Sequence, residues 1–323
     1  MLTIIAAIAL AIAVIGLLAR QVPLTHQVVM FAAALSPYLM CTAVVAAILL
    51  FAERRWVLAI AATVVVAVAI AVELPLFISD RQDPAVKTVP LRVMTANILY
   101  GRADAEPLVA TANAHADVLA VQELTPEAVE RLSAAGLDET FPYRALDARP
   151  GPDGVGMWSR FPITASENIG GYQLAMVSAR IKVEGVQVDP AVLVAHLLPP
   201  WPNPIADFRA DMRRMQTTMR ELAESVGVGC AIVTGDFNST PDMREFRHLL
   251  RNGFHDATLQ AGAGFNRTYP ADGRIPPIIA IDHVLTYQCT ATSAETTELP
   301  GSDHRGVITT VEVPQTRTPS DLS

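Results

Sequence analysis

Residues suited to acid–base or metal chemistry recur in this chain beside short apolar runs that are typical of β-strands. They are Asn97, Glu123, His196, Asp236 with Asn238, Asp282, and Asp303 with His304. The ends of strands in layered α/β domains are rigid positions where loops expose functional groups. Each residue alone is explained as well by a turn or by core packing. Their recurrence at strand ends throughout one domain indicates an active site.

Taken in order, these positions resemble the motifs of the endonuclease/exonuclease/phosphatase superfamily. The resemblance covers about residues 91–313 and rests on Thr95-Ala96-Asn97, Gln122-Glu123, Trp158-Ser159-Arg160-Phe161-Pro162, His196, Gly235-Asp236-Phe237-Asn238, Ile281-Asp282-His283 and Ser302-Asp303-His304. It implies an α/β (α+β) domain, a four-layered αββα sandwich of the deoxyribonuclease I-like type. It also places the site at one end of the two sheets, in a membrane-anchored, bacterial-type member.

The resemblance implies a metal site on Asn97, Glu123 and Asp303. Carboxylate and amide oxygens are hard ligands, which suit Mg²⁺ or Mn²⁺ better than zinc. A metal held there polarises a phosphoryl oxygen and stabilises the charge that develops in the reaction.

The catalytic roles also follow from the resemblance. Asp282 holds His304 in one tautomer and favours its protonated ring. Asp236 positions or deprotonates the attacking water, and Asn238 donates a hydrogen bond to the phosphate. His196 binds phosphate or protonates the leaving group. Which of these groups is the general base stays open.

The sequence predicts alternating strands and helices to position these residues. Strands are expected at 91–95, 118–122, 191–195, 231–234, 279–285 and 307–313, and helices near 107–116, 125–136 and from 203 onward. Such alternation favours an α/β layered domain around one large core. The apolar stripe of the last helix, with its three methionines, is interpreted as core packing.

The first 78 residues contain three apolar runs, at about 2–19, 28–52 and 56–78. Each is long enough to cross a bilayer as a helix, which predicts a membrane anchor of three helices. Arg54 and Arg55 lie between the second and third runs, so the positive-inside bias puts the domain outside the cytoplasm of a cell-membrane protein. Glu73 is the only ionisable residue within the runs, which argues against a channel or transporter.

The predicted domain organisation is an anchor (1–78), a polar linker (79–90), a catalytic domain (91–313) and a disordered tail (314–323). The chain has 32 acidic and 24 basic residues, and the acidic excess falls in the catalytic domain. Proteins that hold nucleic acid nonspecifically usually present a basic face. This balance weighs mildly against a dedicated nuclease.

Three cysteines make neither a disulfide framework nor a zinc-ligand cluster. Cys41 lies in an apolar run. Cys230 precedes Asp236 on one predicted strand and Cys289 follows Asp282 on another. If those strands are neighbours, the two cysteines meet and a disulfide would agree with an extracytoplasmic domain.

The sequence therefore predicts a membrane-tethered, divalent-metal-dependent phosphoester hydrolase, most simply a phosphodiesterase. Its substrate is a phospholipid head group, a small phosphoester or nucleic acid. The alternatives are an extracellular nuclease acting on DNA or RNA, and a domain that binds a phosphorylated ligand without hydrolysing it. Trp201, Arg267 and Arg305 are further candidates for contact with substrate.

Overall fold

The computed structural model describes residues 1–80, 86–273 and 275–316. Its α-helices are α1 Leu2–Ala19, α2 Gln27–Ala34, α3 Ser36–Ala52, α4 Trp56–Glu73, α5 Ala105–His115, α6 Pro126–Ala134, α7 Leu137–Thr140, α8 Ile205–Val226, α9 Arg244–Leu249 and α10 Ala257–Ala261. Two short 3-10 helices are Leu74–Phe77 and Leu250–Asn252.

The strands are β1 Thr88–Asn97, β2 Val118–Gln122, β3 Tyr143–Asp147, β4 Val155–Ser159, β5 Ile163–Asn168, β6 Val177–Ile181, β7 Ala191–His196, β8 Ala231–Asp236, β9 His255–Asp256, β10 Asp282–Tyr287, β11 Thr290–Thr297 and β12 Gly306–Pro314. They form two six-stranded sheets, in the orders β11-β12-β1-β2-β4-β3 and β5-β6-β7-β8-β10-β9. Each sheet has one parallel pair at its centre, β1 with β2 and β7 with β8.

Three apolar clusters hold the domain together as four layers. The central cluster lies between the two sheets and includes Val93, Met157, Val192 and Ile232. A second cluster packs α5, α6 and α7 on the first sheet. A third packs α8 and α9 on the second sheet, and the methionine stripe of α8 lies in it as predicted. The predicted αββα sandwich is confirmed.

Most predicted elements are present with longer or shifted bounds. β1 begins at Thr88, inside the segment predicted as a linker, because it pairs with β12 from Thr88↔Pro314 onward. β10 begins only at Asp282, whereas the sequence predicts a strand from Ile279. Thr125 caps α6, its hydroxyl accepting from the Ala128 amide at 3.1 Å. The disordered tail is predicted from residue 314, but Pro314 still belongs to β12; residues 317–323 lie outside the described part of the chain.

The second apolar run is not one straight helix. α2 and α3 meet at Leu35 with a bend of 68°, where the sequence predicts a single span. Pro37 lies in the first turn of α3, and a proline there cannot continue a preceding helix because it lacks an N–H and clashes with the turn before it. Two helices, Leu2–Ala19 and Trp56–Phe77, are long and apolar enough to cross a membrane, or three if the bent pair forms one span.

The apolar N-terminal segment packs directly on the catalytic domain. Arg20 forms ion pairs with Glu73 and with Asp242, and Arg247 donates to the Arg20 carbonyl. The Leu24 amide donates to Glu245 Oε1 at 2.9 Å. Met30, Ala33 and Ala34 of α2 are buried in the same cluster as α8. The N-terminal segment and the catalytic domain are therefore in direct contact.

Cys230 and Cys289 form a disulfide, as the sequence hypothesis proposed. Cys230 lies just before β8 and Cys289 just after β10, and these strands pair antiparallel from Asp282↔Asp236 to Tyr287↔Ala231. The bridge therefore closes the end of this strand pair that lies opposite Asp236 and Asp282.

Gly235 allows the central strands of the second sheet to approach. It pairs with Ala195 at φ +144°, and a Cβ there would lie 1.9 Å from the Ala195 carbonyl oxygen.

We expect Gly235→Ala to destabilise the protein by about 3 kcal/mol, or roughly 10 °C in melting temperature. Gly170→Ala is the control, because a Cβ at Gly170 meets nothing within 4 Å. Equal melting temperatures for both variants in detergent would contradict this account.

The disulfide predicts the thiol count of the full chain. Cys41 is a free cysteine. The denatured, unreduced protein should therefore react with one equivalent of a thiol reagent, and the reduced protein with three. Three reactive thiols before reduction would show that Cys230 and Cys289 are not bridged.

Candidate active site

The site begins at the parallel pair in the first sheet, where Asn97 and Gln122 are partners at the ends of β1 and β2. The buried Asn97 side chain uses both of its polar atoms. Its Nδ2 donates to Asp236 Oδ2 at 3.0 Å and to Glu123 Oε1 at 3.2 Å, and its Oδ1 accepts from the Leu99 amide at 3.0 Å. Asn97 therefore joins the carboxylates of the two sheets.

Glu123 follows β2 in an unusual backbone conformation. Its φ is +59°, a region that costs about 1–3 kcal/mol for a non-glycine residue and occurs mainly at functional sites. The Tyr100 amide donates to Glu123 Oε2 at 2.6 Å. The conformation and this bond turn the carboxylate toward Asn97.

The second sheet supplies three residues at neighbouring strand ends. His196 of β7 is the partner of Asp236 in β8, and Asp236 is the partner of Asp282 in β10. His196 Nε2 lies 3.8 Å from Asp236 Oδ2. Asp236 Oδ1 accepts from the amide of Asn238 at 2.8 Å. The strand register alone brings these side chains to one edge.

The Ser302-Asp303-His304 loop closes the site from the first sheet. Ser302 Oγ donates to the Asn97 carbonyl at 2.7 Å and accepts from the His304 amide at 3.1 Å. His304 Nδ1 lies 2.9 Å from Asp282 Oδ2. Its Nε2 faces Asp236 Oδ2 at 3.9 Å and Asp303 Oδ1 at 4.0 Å. This is the His–Asp pair that the sequence predicts.

Asn238 and Tyr269 complete the surroundings. Asn238 has φ +47°, and its Nδ2 donates to the Leu197 carbonyl at 2.9 Å. The Tyr269 ring lies 5.0 Å from the His304 ring, centroid to centroid. Thr268 Oγ1 accepts from the Ile281 and Asp282 amides, which fixes the start of β10.

Burial and the neighbouring charges shift the pKa values of the carboxyl groups and histidines in the site. Burial raises the pKa of Asp236, and the Asp282 carboxylate raises it further. Burial likewise raises the pKa of Glu123. Burial alone lowers the pKa of His304, but the surrounding carboxylates, Asp282 first, outweigh it and raise it to about 10. Burial and the charge of His304 lower the pKa of His196 to about 4. At neutral pH these shifts favour a charged His304 and an uncharged His196.

Two sets of residues in this site are candidates for a cation. Ligand atoms of Asp236, Asp282 and His304 all lie within 4.8 Å of one another. However, Asp282 Oδ2 and His304 Nδ1 are already bonded to each other. Asp303 Oδ1 and Asp282 Oδ1 are both buried without a hydrogen-bond partner among the described residues, and the charge of Asp303 acts on Glu123. Such an unpaired carboxylate oxygen fits a hard divalent cation.

All eight predicted site residues lie together at this end of the sheets, and most line one cavity of about 810 Å³. Asn97 and Asp282 lie behind its surface and bond to Asp236 and His304. Arg267 and Arg305 do not line it: Arg267 lies over the rings of Tyr38 and Phe265, and Arg305 lies 3.9 Å from Glu298.

One wall of this cavity was not predicted. It comes from the N-terminal segment and consists of Met30, Phe31, Ala34 and Leu35. The break at Ser36-Pro37 was the one signal in the sequence for a turn of the chain there. It gave no indication of what α2 packs against.

The comparison with protein families decides the classification. The sequence profile of the Endonuclease/Exonuclease/phosphatase family matches residues 94–304, which is more than half of the chain. The chain belongs to this family. The predicted family and enzyme class, hydrolases of the endonuclease/exonuclease/phosphatase type, are thereby confirmed.

Solved structures share the endonuclease/exonuclease/phosphatase fold. A family member from Bacteroides vulgatus is 19% identical with a TM-score of 0.57, covering 70% of this chain and 99% of that one. D. rerio TDP2 complexed with single strand DNA product is 19% identical with a TM-score of 0.56, and the match covers 69% of this chain and 98% of that one. Sphingomyelinase C from Streptomyces griseocarneus is 17% identical with a TM-score of 0.53, and the match covers 69% of this chain and 99% of that one. At these identities the likeness establishes the fold, not the substrate.

The search of curated proteins found no match.

The unpaired oxygen of Asp303 and the nearby Glu123 predict where a cation binds. We expect Glu123→Gln to weaken Mn²⁺ binding by at least about tenfold, because it removes a charged ligand. Paramagnetic titration of the full chain in detergent would measure this. Glu127→Gln, at an exposed position in the first turn of α6, should bind Mn²⁺ like the wild type. Unchanged affinity in Glu123→Gln would instead favour the Asp236, Asp282 and His304 set.

Proposed function

We propose that this protein is a divalent-metal-dependent phosphodiesterase that acts at a membrane surface. The observation that carries the proposal is the convergence of Glu123, Asp303, Asp236 and the His304–Asp282 pair at one cavity. This combination provides oxygen ligands, a group that can accept a proton and a cationic hydrogen-bond donor within one site.

Glu123 and Asp303, with Asn97 beside them, would hold Mg²⁺ or Mn²⁺, since all three offer oxygen atoms. When bound, the cation supplies positive charge that polarises a phosphoryl oxygen and stabilises the charge developing on it. Asn97 Nδ2 rather than Oδ1 faces Glu123 and Asp236, so Asn97 would coordinate the cation only with its amide group turned over, and as it stands it orients these carboxylates.

The remaining residues act on the phosphodiester and on water. Asp236 lies at the centre of the site, and its raised pKa suits it to accept a proton from the attacking water. The water oxygen forms a bond to phosphorus as one ester P–O bond breaks, and the departing oxygen takes up a proton. The products are a phosphomonoester and an alcohol.

The two histidines have different parts in this scheme. His304, held by Asp282, donates from Nε2 to a phosphoryl oxygen. His196 is neutral and buried beside Asp236, and it binds the phosphate or relays the proton to the leaving group. Asn238 contributes a side-chain amide on the same side of the cavity.

A membrane location is supported by the length and composition of Leu2–Ala19 and Trp56–Phe77. The disulfide between Cys230 and Cys289 favours an oxidising compartment. Arg54 and Arg55, which precede α4, favour the same side of the membrane for the catalytic domain, because basic loops tend to stay in the cytoplasm. We therefore propose an anchored cell-membrane protein whose catalytic domain faces away from the cytoplasm.

Substitution of the central groups tests the proposed chemistry. We expect Asp236→Asn and His304→Gln each to lower kcat on a chromogenic aryl phosphodiester by at least about 100-fold. The full chain in detergent would be assayed with Mg²⁺ and with Mn²⁺, and a chelator should abolish turnover. His115→Gln, which changes an exposed histidine outside the cavity, should retain wild-type kcat.

Two results would refute the phosphodiesterase. Turnover that survives both substitutions or the chelator would place the chemistry elsewhere. Calorimetry that shows tight binding of a phosphodiester with no product, even with Mn²⁺, would establish the non-hydrolysing alternative.

A further inference from the structure

The cavity that contains the active site has an apolar side built by the N-terminal segment. Phe31 and Leu35 line it together with Asp236 and His304. Catalysis at phosphorus needs polar groups, so the chemistry does not explain an apolar wall at this place. The wall comes from the segment that carries the candidate membrane spans.

Further apolar residues adjoin this wall at the mouth of the cavity. Trp201 lines the cavity with neighbouring prolines and with Ile278. The rings of Trp201 and Phe31 lie 6.5 Å apart, centroid to centroid. These side chains are 56% and 47% exposed, respectively. Two large apolar side chains thus stand partly uncovered at the mouth of a phosphoester site.

The wall is held firmly in place. Ala33 and Ala34 are buried against the second sheet's helical layer, which fixes the helix that carries Phe31. The Tyr38 hydroxyl donates to the Ile278 carbonyl at 2.7 Å. This bond ties the start of α3 to Ile278, which also lines the cavity.

The charge of the residues that line the cavity favours some classes of phosphoester substrate over others. Among the described residues that line it there is no lysine or arginine, whereas Glu123, Asp153, Asp236 and Asp303 are acidic. Binding of nucleic acid depends on cationic side chains that neutralise successive phosphates. The cavity therefore suits a ligand with one phosphodiester and an extended apolar part.

The bend between α2 and α3 relates this wall to a bilayer. If α3 crosses the membrane, a turn of 68° makes α2 run nearly along the membrane surface. Helices with this placement lie at the boundary between head groups and acyl chains, where tryptophan is also enriched. The mouth of the active site then opens at the depth of the lipid head groups.

We infer that Phe31, Leu35 and Trp201 form a subsite for the apolar part of a bilayer phospholipid. The head-group phosphodiester of that lipid would then lie against Glu123, Asp236 and His304. The inference rests on the proposed phosphodiesterase and names its substrate class. It also gives α2 a part in substrate binding in addition to anchoring.

The first test compares two substrates on the full chain in nanodiscs of phosphatidylcholine. The rate of head-group release from this lipid is divided by the rate on a soluble aryl phosphodiester. We expect Phe31→Gln and Trp201→Gln to lower this ratio by about tenfold, the factor for losing one buried aromatic contact. Tyr143→Gln changes an exposed tyrosine on β3 and should leave both rates unchanged.

The outcomes separate this inference from the proposed function. A wild-type protein that hydrolyses the soluble diester but not the lipid, or plasmid DNA faster than the lipid, overturns the inference and leaves the phosphodiesterase standing. An unchanged ratio in both variants also overturns it. No turnover of any ester overturns the phosphodiesterase, and the inference with it.

A binding measurement needs no substitution in α2. The chain has three tryptophans, and Trp158 is fully buried. In an Asp236→Asn variant that also carries Trp56→Phe, accessible emission therefore reports on Trp201. Phosphatidylcholine brominated on its acyl chains should quench this emission, and Trp201→Phe should remove the quenched component. Absence of quenching would show that acyl chains do not reach the subsite.

Discussion

The carboxylates of Glu123, Asp236, Asp282 and Asp303 converge at one end of the sheet pair, where burial strengthens their mutual repulsion. His304 offsets part of this charge from its position between Asp282 and Asp236. The Asn97 amide group donates to two of the carboxylates. A divalent cation would offset much of the rest. The precise strand register around the site is what keeps these compensating groups within reach.

The parallel pairs at the centre of the two sheets explain how the chain brings these groups together. In each sheet the parallel pair delivers two strand ends to the same edge: Asn97 lies beside Gln122, which precedes Glu123, and His196 lies beside Asp236. The sheets pack on each other through an apolar cluster that includes Val93 and Ile232. Core packing and the placement of the reactive groups are thus two results of one arrangement of strands.

Much of this arrangement can be predicted from the sequence, because strand ends and their polar residues are local features. The run before Asp236 and the Ser302-Asp303-His304 segment are examples of this. The docking of α2 is not local: an apolar helix must be buried, but its sequence does not say whether lipid or protein covers it. The same holds for the bend at Leu35, whose direction depends on the domain that α2 contacts.

Arg20 joins the end of α1 to Glu73 at the end of α4 and to Asp242 in the catalytic domain. A domain on a loose tether would sample many heights and orientations above its membrane. Here the paired charges and the buried face of α2 restrict that freedom. In the proposed arrangement, the enzyme meets new substrate by lateral diffusion in the plane of the bilayer. Its turnover would then depend on the surface density and fluidity of the bilayer, and little on concentrations in the surrounding solution.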